Sequence, residues 1–172
     1  MPGASDRQQD GPDPGRRPAV PAAPAAPAVV VGLDGSGTSW DAFWWACGEA
    51  RRLGGRVLAV FVSSSADACM AAMASAAVGV AVYDYAVVDQ AVAAQAARLQ
   101  AEVQRHGDTD GVDVVFVHAR GDPARELLRL AGEAGADLIV VGRSVKVRHQ
   151  VAGSLGRHLV LKRGAPVVVV VP

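Results

Sequence analysis

Two short stretches of this chain combine residue types that could do chemistry: Asp34-Gly35-Ser36-Gly37, and Gly142-Arg143-Ser144 with Gly153-Ser154 following. A carboxylate such as Asp34, at the end of an apolar run, can accept a hydrogen bond from a ribose hydroxyl or an adenine amine. It can equally turn the chain, because Asp-Gly is a common turn dipeptide. Gly153-Ser154 stands where a helix is expected to begin. The first amides of a helix have no internal partners and carry partial positive charge. Phosphate oxygens bind well there, and glycine lets the backbone come close. The same pair serves as an ordinary cap, with Ser154 satisfying an amide. Arg143, Lys146 and Arg148 in the intervening loop either add charge for an anion or form a solvated loop.

Other chemistries have less to stand on. The four histidines are His106, His118, His149 and His158. No two have a helical metal spacing, and none adjoins a plausible nucleophile. There is no GxSxG elbow, Walker A loop or GxGxxG, and no residue set assembles a catalytic base with a nucleophile. Cys47 and Cys69, the two cysteines, form neither a CxxC pair nor a zinc-spaced cluster. Both read as reduced, buried thiols.

The elements that must position these groups alternate regularly. Ala28–Leu33 is a β-branched run, bounded by prolines before and Asp34-Gly35 after, and predicts a strand buried on both faces. The following helix is capped by Thr38, with Asp41 at capping-box spacing. Its apolar side is Phe43, Cys47, Ala50 and Leu53, and Gly54-Gly55 end it. Arg56–Val62 is the second strand, Val87–His106 the second helix and Val112–His118 the third strand. Asp122-Pro123 starts a helix with an N-cap carboxylate and a proline where no amide hydrogen is needed; Gly135 stops it. Asp137–Val141 is the fourth strand, Ser154–Arg163 a short helix, and Pro166–Val171 the fifth strand. Nearly continuous apolar strands alternating with helices predict an α/β fold: a doubly wound parallel five-stranded sheet with helices on both faces. Ligands of such sheets bind beyond the carboxyl ends of the strands, where the strand order reverses.

Composition bounds the partners. Acidic and basic residues balance at 17 each, which favours neither nucleic acid nor a membrane surface. Aromatic residues make up 5%, too few for a base-stacking platform. Residues 1–27 read as a disordered Pro/Ala-rich tail, and residues 28–172 as one domain. Arg16-Arg17 suggest a twin-arginine export signal, but Pro18, Pro21, Pro24 and Pro27 interrupt the apolar stretch behind them. A flexible tail on a cytoplasmic protein is the better reading. Ala68–Tyr83 is uncharged but too short to span a bilayer.

Taken together, Asp34-Gly-Ser after the first strand, Gly121-Asp-Pro, Asp137-Leu-Ile-Val-Val-Gly142-Arg-Ser, Gly153-Ser154 and Ala165-Pro-Val-Val-Val-Val resemble the universal stress protein family in its single-domain, actinobacterial-type form. The resemblance covers about residues 28–172. It implies strand order 3-2-1-4-5, with the reversal between strands one and four. It also implies ATP, possibly with magnesium, as ligand, in a regulatory stress-response switch and not a dedicated metabolic enzyme. Members that bind ATP carry G-x2-G-x9-G-(S/T). Gly142 matches the first glycine and Gly153-Ser154 the closing pair. Asp34 matches the family's acidic residue that contacts the nucleoside. Val62 matches a position of backbone contact with adenine, and Val141 and Leu155 line the implied site. The sequence departs at the second glycine, which is Val145, and the loop to Gly153 is two residues shorter than the pattern. That departure favours an alternative, a nucleotide-free dimeric interaction module of the same family.

Gly35-Ser36-Gly37-Thr38-Ser39 admits a rival, since a small hydroxyl-bearing loop also holds the flavin mononucleotide phosphate in flavodoxin-like proteins. The charged loop after strand four fits that poorly. Five consecutive valines, Val167–Val171, would form an exposed sheet edge unless paired. The expectation is an antiparallel homodimer through that strand, which the resemblance also implies; the alternative is a tail or loop covering it. Trp40, Trp44 and Trp45 are read as core or interface groups.

Overall fold

The computed structural model describes residues 26–64, 85–143, 155–162, 164 and 166–172. Residues 1–25 of the N-terminal tail and the whole uncharged stretch Ala68–Tyr83, with Cys69 in it, lie outside the described residues. The described chain runs β1 (Ala28–Leu33), α1 (Gly37–Leu53), β2 (Arg56–Ser63), α2 (Tyr85–Asp110), β3 (Asp113–Arg120), α3 (Pro123–Ala134), β4 (Leu138–Gly142), α4 (Leu155–Val160) and β5 (Val167–Val171).

Side chains alternate across a strand, so a strand buried on both faces must be apolar at nearly every position. β1 meets that condition: Val29, Val30 and Val31 are wholly buried. It is the central strand, parallel to β2 on one side, with Val30 opposite Leu58, and to β4 on the other, with Val30 opposite Ile139. The five strands are ordered β3-β2-β1-β4-β5, all parallel, as expected from the sequence. Two cores result. Val30, Leu58, Val60, Val117, Ile139 and Val141 face α3 and α4, where Leu127, Leu130 and Leu159 cover them. Val29, Val31, Val57, Ala59 and Val140 face the other way, under Phe43, Ala46, Cys47 and Ala50 of α1 and Val103 of α2. Burial of Cys47 at 3% exposure matches its reading as an interior thiol.

Several boundaries differ from the sequence reading. α1 is capped by Ser36, not Thr38: the Ser36 side chain accepts from Ser39 N, and the helix already begins at Gly37. Leu53 is 49% exposed, because the helix stops beside it. Gly54, at φ 61°, turns left-handed and donates its amide to Ala50 O and Arg51 O. α2 continues through Gly107, where a β-carbon would already press on Val114 Cγ2 at 3.3 Å. The glycine read as a loop residue therefore lets the helix approach β3. The Asp122 cap is as expected, with Oδ1 accepting from Arg125 N at 2.9 Å and Pro123 opening α3. Leu128 of α3 is only partly buried, packing at the margin of this core.

Candidate functional site

The carboxyl ends of β1 and β4 lie side by side, and Asp34 leaves the first of them. Its Oδ1 accepts from Ser36 N at 2.9 Å and from Ser36 Oγ at 2.5 Å. One carboxylate oxygen therefore turns the chain into α1, which was one of the two roles open to it. Ser39, buried at 4% exposure, supports the turn from inside. Its Oγ donates to Ser36 O at 2.8 Å and accepts from Asp34 N at 3.4 Å. From α2, Gln95 Nε2 donates to Asp34 O at 3.3 Å. The Asp34 side chain itself is exposed at the mouth of the crevice.

Gly142 ends β4 directly beneath the first turn of α1. A β-carbon there would overlap the carbonyl of Thr38 and come within 2.8 Å of Ser39 N. The glycine that matches the first of the family's ATP-loop pattern thus has a packing reason as well. Beyond it, Arg143 is held through its backbone. Its amide donates to Val171 O at 2.7 Å and its carbonyl accepts from Thr38 Oγ1 at 3.0 Å, while the side chain is exposed. Thr38, expected as the cap, is instead a brace between α1 and the end of β4.

Of the expected lining residues, Val141 is buried in the core facing α3 and α4, and Val62 and Leu155 pack partly buried against that same cluster. All three lie on the same side of the sheet, the side that α3 and α4 cover. Gly153, Ser154, Val145, Lys146, Arg148 and His149 lie outside the described residues.

Sequence reasoning missed a second constellation. His118 does adjoin a hydroxyl: its Nε2 is 3.0 Å from Ser63 Oγ at the ends of β3 and β2. The imidazole also stacks on Phe61, with centroids 5.1 Å apart and planes at 28°. Burial, then the nearby Arg120 charge, hold the His118 pKa below the ordinary 6.5. Arg120 in turn pairs with Asp89 of α2 at 3.3 Å. These groups lie on the α2 side, away from Val62 and Val141. A hollow lined by Gln104, Gly107, Val112 and Asp113 opens at the opposite, amino-terminal end of β3 and touches none of the motif residues.

Comparison with known proteins agrees with this fold. The universal stress protein family matches residues 27–171. A protein of that family from Burkholderia pseudomallei is 28% identical, with a TM-score of 0.63 over 86% of this chain and 96% of the other. A universal stress protein solved in complex with cAMP is 21% identical, at a TM-score of 0.57 over 86% and 98%. One from Archaeoglobus fulgidus in complex with dAMP is 19% identical, at 0.50 over 85% and 97%. Similar structures thus come from bacteria and archaea, and they do not narrow the likeness to an actinobacterial type. No curated protein matches the chain significantly.

Proposed function

The chain belongs to the universal stress protein family, and from that membership we propose that it binds an adenine nucleotide, ATP foremost, as a ligand-responsive switch in the cytoplasm. The observation that carries this reading is the packing of Val62, Val141 and Leu155 against one apolar cluster, where the strand order reverses beside Asp34. An adenine ring needs such an apolar wall. Asp34 would take the ribose or the base, and its turn-forming hydrogen bonds to Ser36 leave the exposed side chain at the crevice mouth. Gly142, Arg143, Gly153 and Ser154 would take the phosphates, with magnesium neutralising part of their charge. Related proteins solved with cAMP and dAMP support adenine nucleotides as the ligand class.

Calorimetric titration of nucleotide-stripped protein with ATP, with and without magnesium, tests this. The expected result is a saturable isotherm at micromolar to submillimolar concentration, abolished by Gly153→Asp, which would set a carboxylate against the phosphates. Saturation at a hundredfold excess over Kd should also add about 2.7 kcal/mol of stability. No heat and no thermal stabilisation at millimolar ATP would overturn the reading. It would favour the nucleotide-free interaction module to which Val145 and the shortened loop point.

Assembly through β5 is part of the same proposal. β5 is the edge strand, and Val167 and Val170 are 66% and 48% exposed. Open edges of this kind tend to pair with another chain. Sedimentation at micromolar concentration is expected to give a dimer that Val170→Lys shifts toward monomer; a wild-type monomer would refute the contact.

A further inference from the structure

Ser63 and His118 are 55 positions apart in the chain, yet strand pairing brings them together. In the β2–β3 register, Phe61 lies opposite His118 and Ser63 opposite Arg120. Residues two apart on a strand share a face, so Phe61 and Ser63 of β2 meet His118 and Arg120 of β3 on the α2 side. Stacking on Phe61 fixes the imidazole plane and leaves Nε2 3.0 Å from Ser63 Oγ. A serine hydroxyl is a weak nucleophile until a base within hydrogen-bond reach takes its proton. The imidazole can act as that base in the tautomer that leaves Nε2 unprotonated, with Ser63 Oγ donating to it in place of Ala119 O at 3.4 Å. Burial, then Arg120, disfavour its charged form. Arg120, opposite Ser63 in the strand register and paired with Asp89 at 3.3 Å, lies at the same strand ends. Both Ser63 and His118 are partly exposed, so a small electrophile can reach them.

From this geometry we propose that Ser63 is an acyl-accepting nucleophile, activated by His118, that is acylated by small activated acyl donors. Ser63 Oγ attacks the carbonyl carbon and forms the new C–O bond while its proton passes to His118 Nε2. The bond to the leaving group breaks with its electron pair, the leaving group departs as an anion, and His118 returns the proton to solvent. The product is the Ser63 ester, which accumulates where its hydrolysis is slower than its formation. The charge acting on His118 is Arg120 on its own strand, which is paired with Asp89 of α2. Ser63 is its partner from β2.

The test is acetylation of the full chain by p-nitrophenyl acetate, followed by p-nitrophenolate release and by peptide mass spectrometry. The expected result is a stoichiometric burst that places acetyl on Ser63, about 100-fold faster than the labelling of Ser63→Ala. His118→Gln should lose the burst while retaining the wild-type melting behaviour. The rate should also fall with acid, with a midpoint below pH 6.5 as His118 protonates. Labelling of Ser63→Ala at the wild-type rate, acetyl found only on amines, or a rate indifferent to His118→Gln would each overturn the proposal.

Discussion

Gly142→Ala is expected to destabilise the protein by about 3 kcal/mol, although it adds a single methyl group. At most glycines a new β-carbon meets open space or a side chain that can swing away. At Gly142 it meets the backbone of Thr38 and Ser39, and that backbone cannot move independently. The Ser36 cap, the Thr38 Oγ1 hydrogen bond to Arg143 O and the Ser39 contacts inside the turn all fix it. Overpacking against rigid neighbours costs roughly 1–3 kcal/mol and occasionally more. For a chain of this length that predicts a fall in Tm of about 6–12 °C. Thermal denaturation by circular dichroism would measure it. The matching control is Gly132→Ala in α3, where a β-carbon meets nothing within 4 Å; it should be neutral or stabilising by up to about 1 kcal/mol. Equal melting temperatures for Gly142→Ala and the wild type would show that the first turn of α1 does not rest on β4 as described.

Phe43→Ala should cost about 3–5 kcal/mol, the usual range for truncating a buried aromatic side chain. Phe43 is wholly buried at the contact of α1 with the sheet. Trp40 and Trp44 meet it nearly edge-on, at centroid distances of 5.5 and 5.4 Å, and His106 of α2 reaches both tryptophans at 6.0 and 4.3 Å. Removing the ring would therefore hollow out the contact between two helices, and the tryptophans would report it directly. Intrinsic fluorescence of folded Phe43→Ala should change in position or intensity, and Tm should fall by roughly 6–20 °C. An unaltered spectrum with an unaltered Tm would contradict the packing.

What could be read from residues alone follows from how local each feature is. β1 was legible to its last residue, because a valine run between proline and Asp-Gly has few alternatives. The Asp122-Pro123 start of α3 was equally legible, since both residues act within one turn. The cap of α1 was misassigned because Ser36, Thr38 and Ser39 all carry hydroxyls. Only the anchoring of Ser36 by Asp34 and of Thr38 by Arg143 tells them apart, and the second contact spans 105 positions. The grouping of Val62, Val141 and Leu155 required the family's strand order; periodicity by itself does not bring them together. The pairing of Ser63 with His118 escaped because it depends on the register of two strands. Neither residue stands in a motif of its own.

The central place of β1 also bears on how the chain is made. Its first neighbour, β2, follows after one helix, but Val30 must wait for Ile139 to complete its other side. Ribosomes add about 5–20 residues per second, so the β4-facing edge of β1 stays unpaired for roughly 5–20 s after it emerges. During that interval an apolar edge carrying Val29, Val30 and Val31 is open to any other nascent strand. Dependence on such a distant partner also makes folding slow relative to chains with local contacts. Yield on expression should therefore respond more to temperature and chaperone supply than the stability of the finished sheet would suggest.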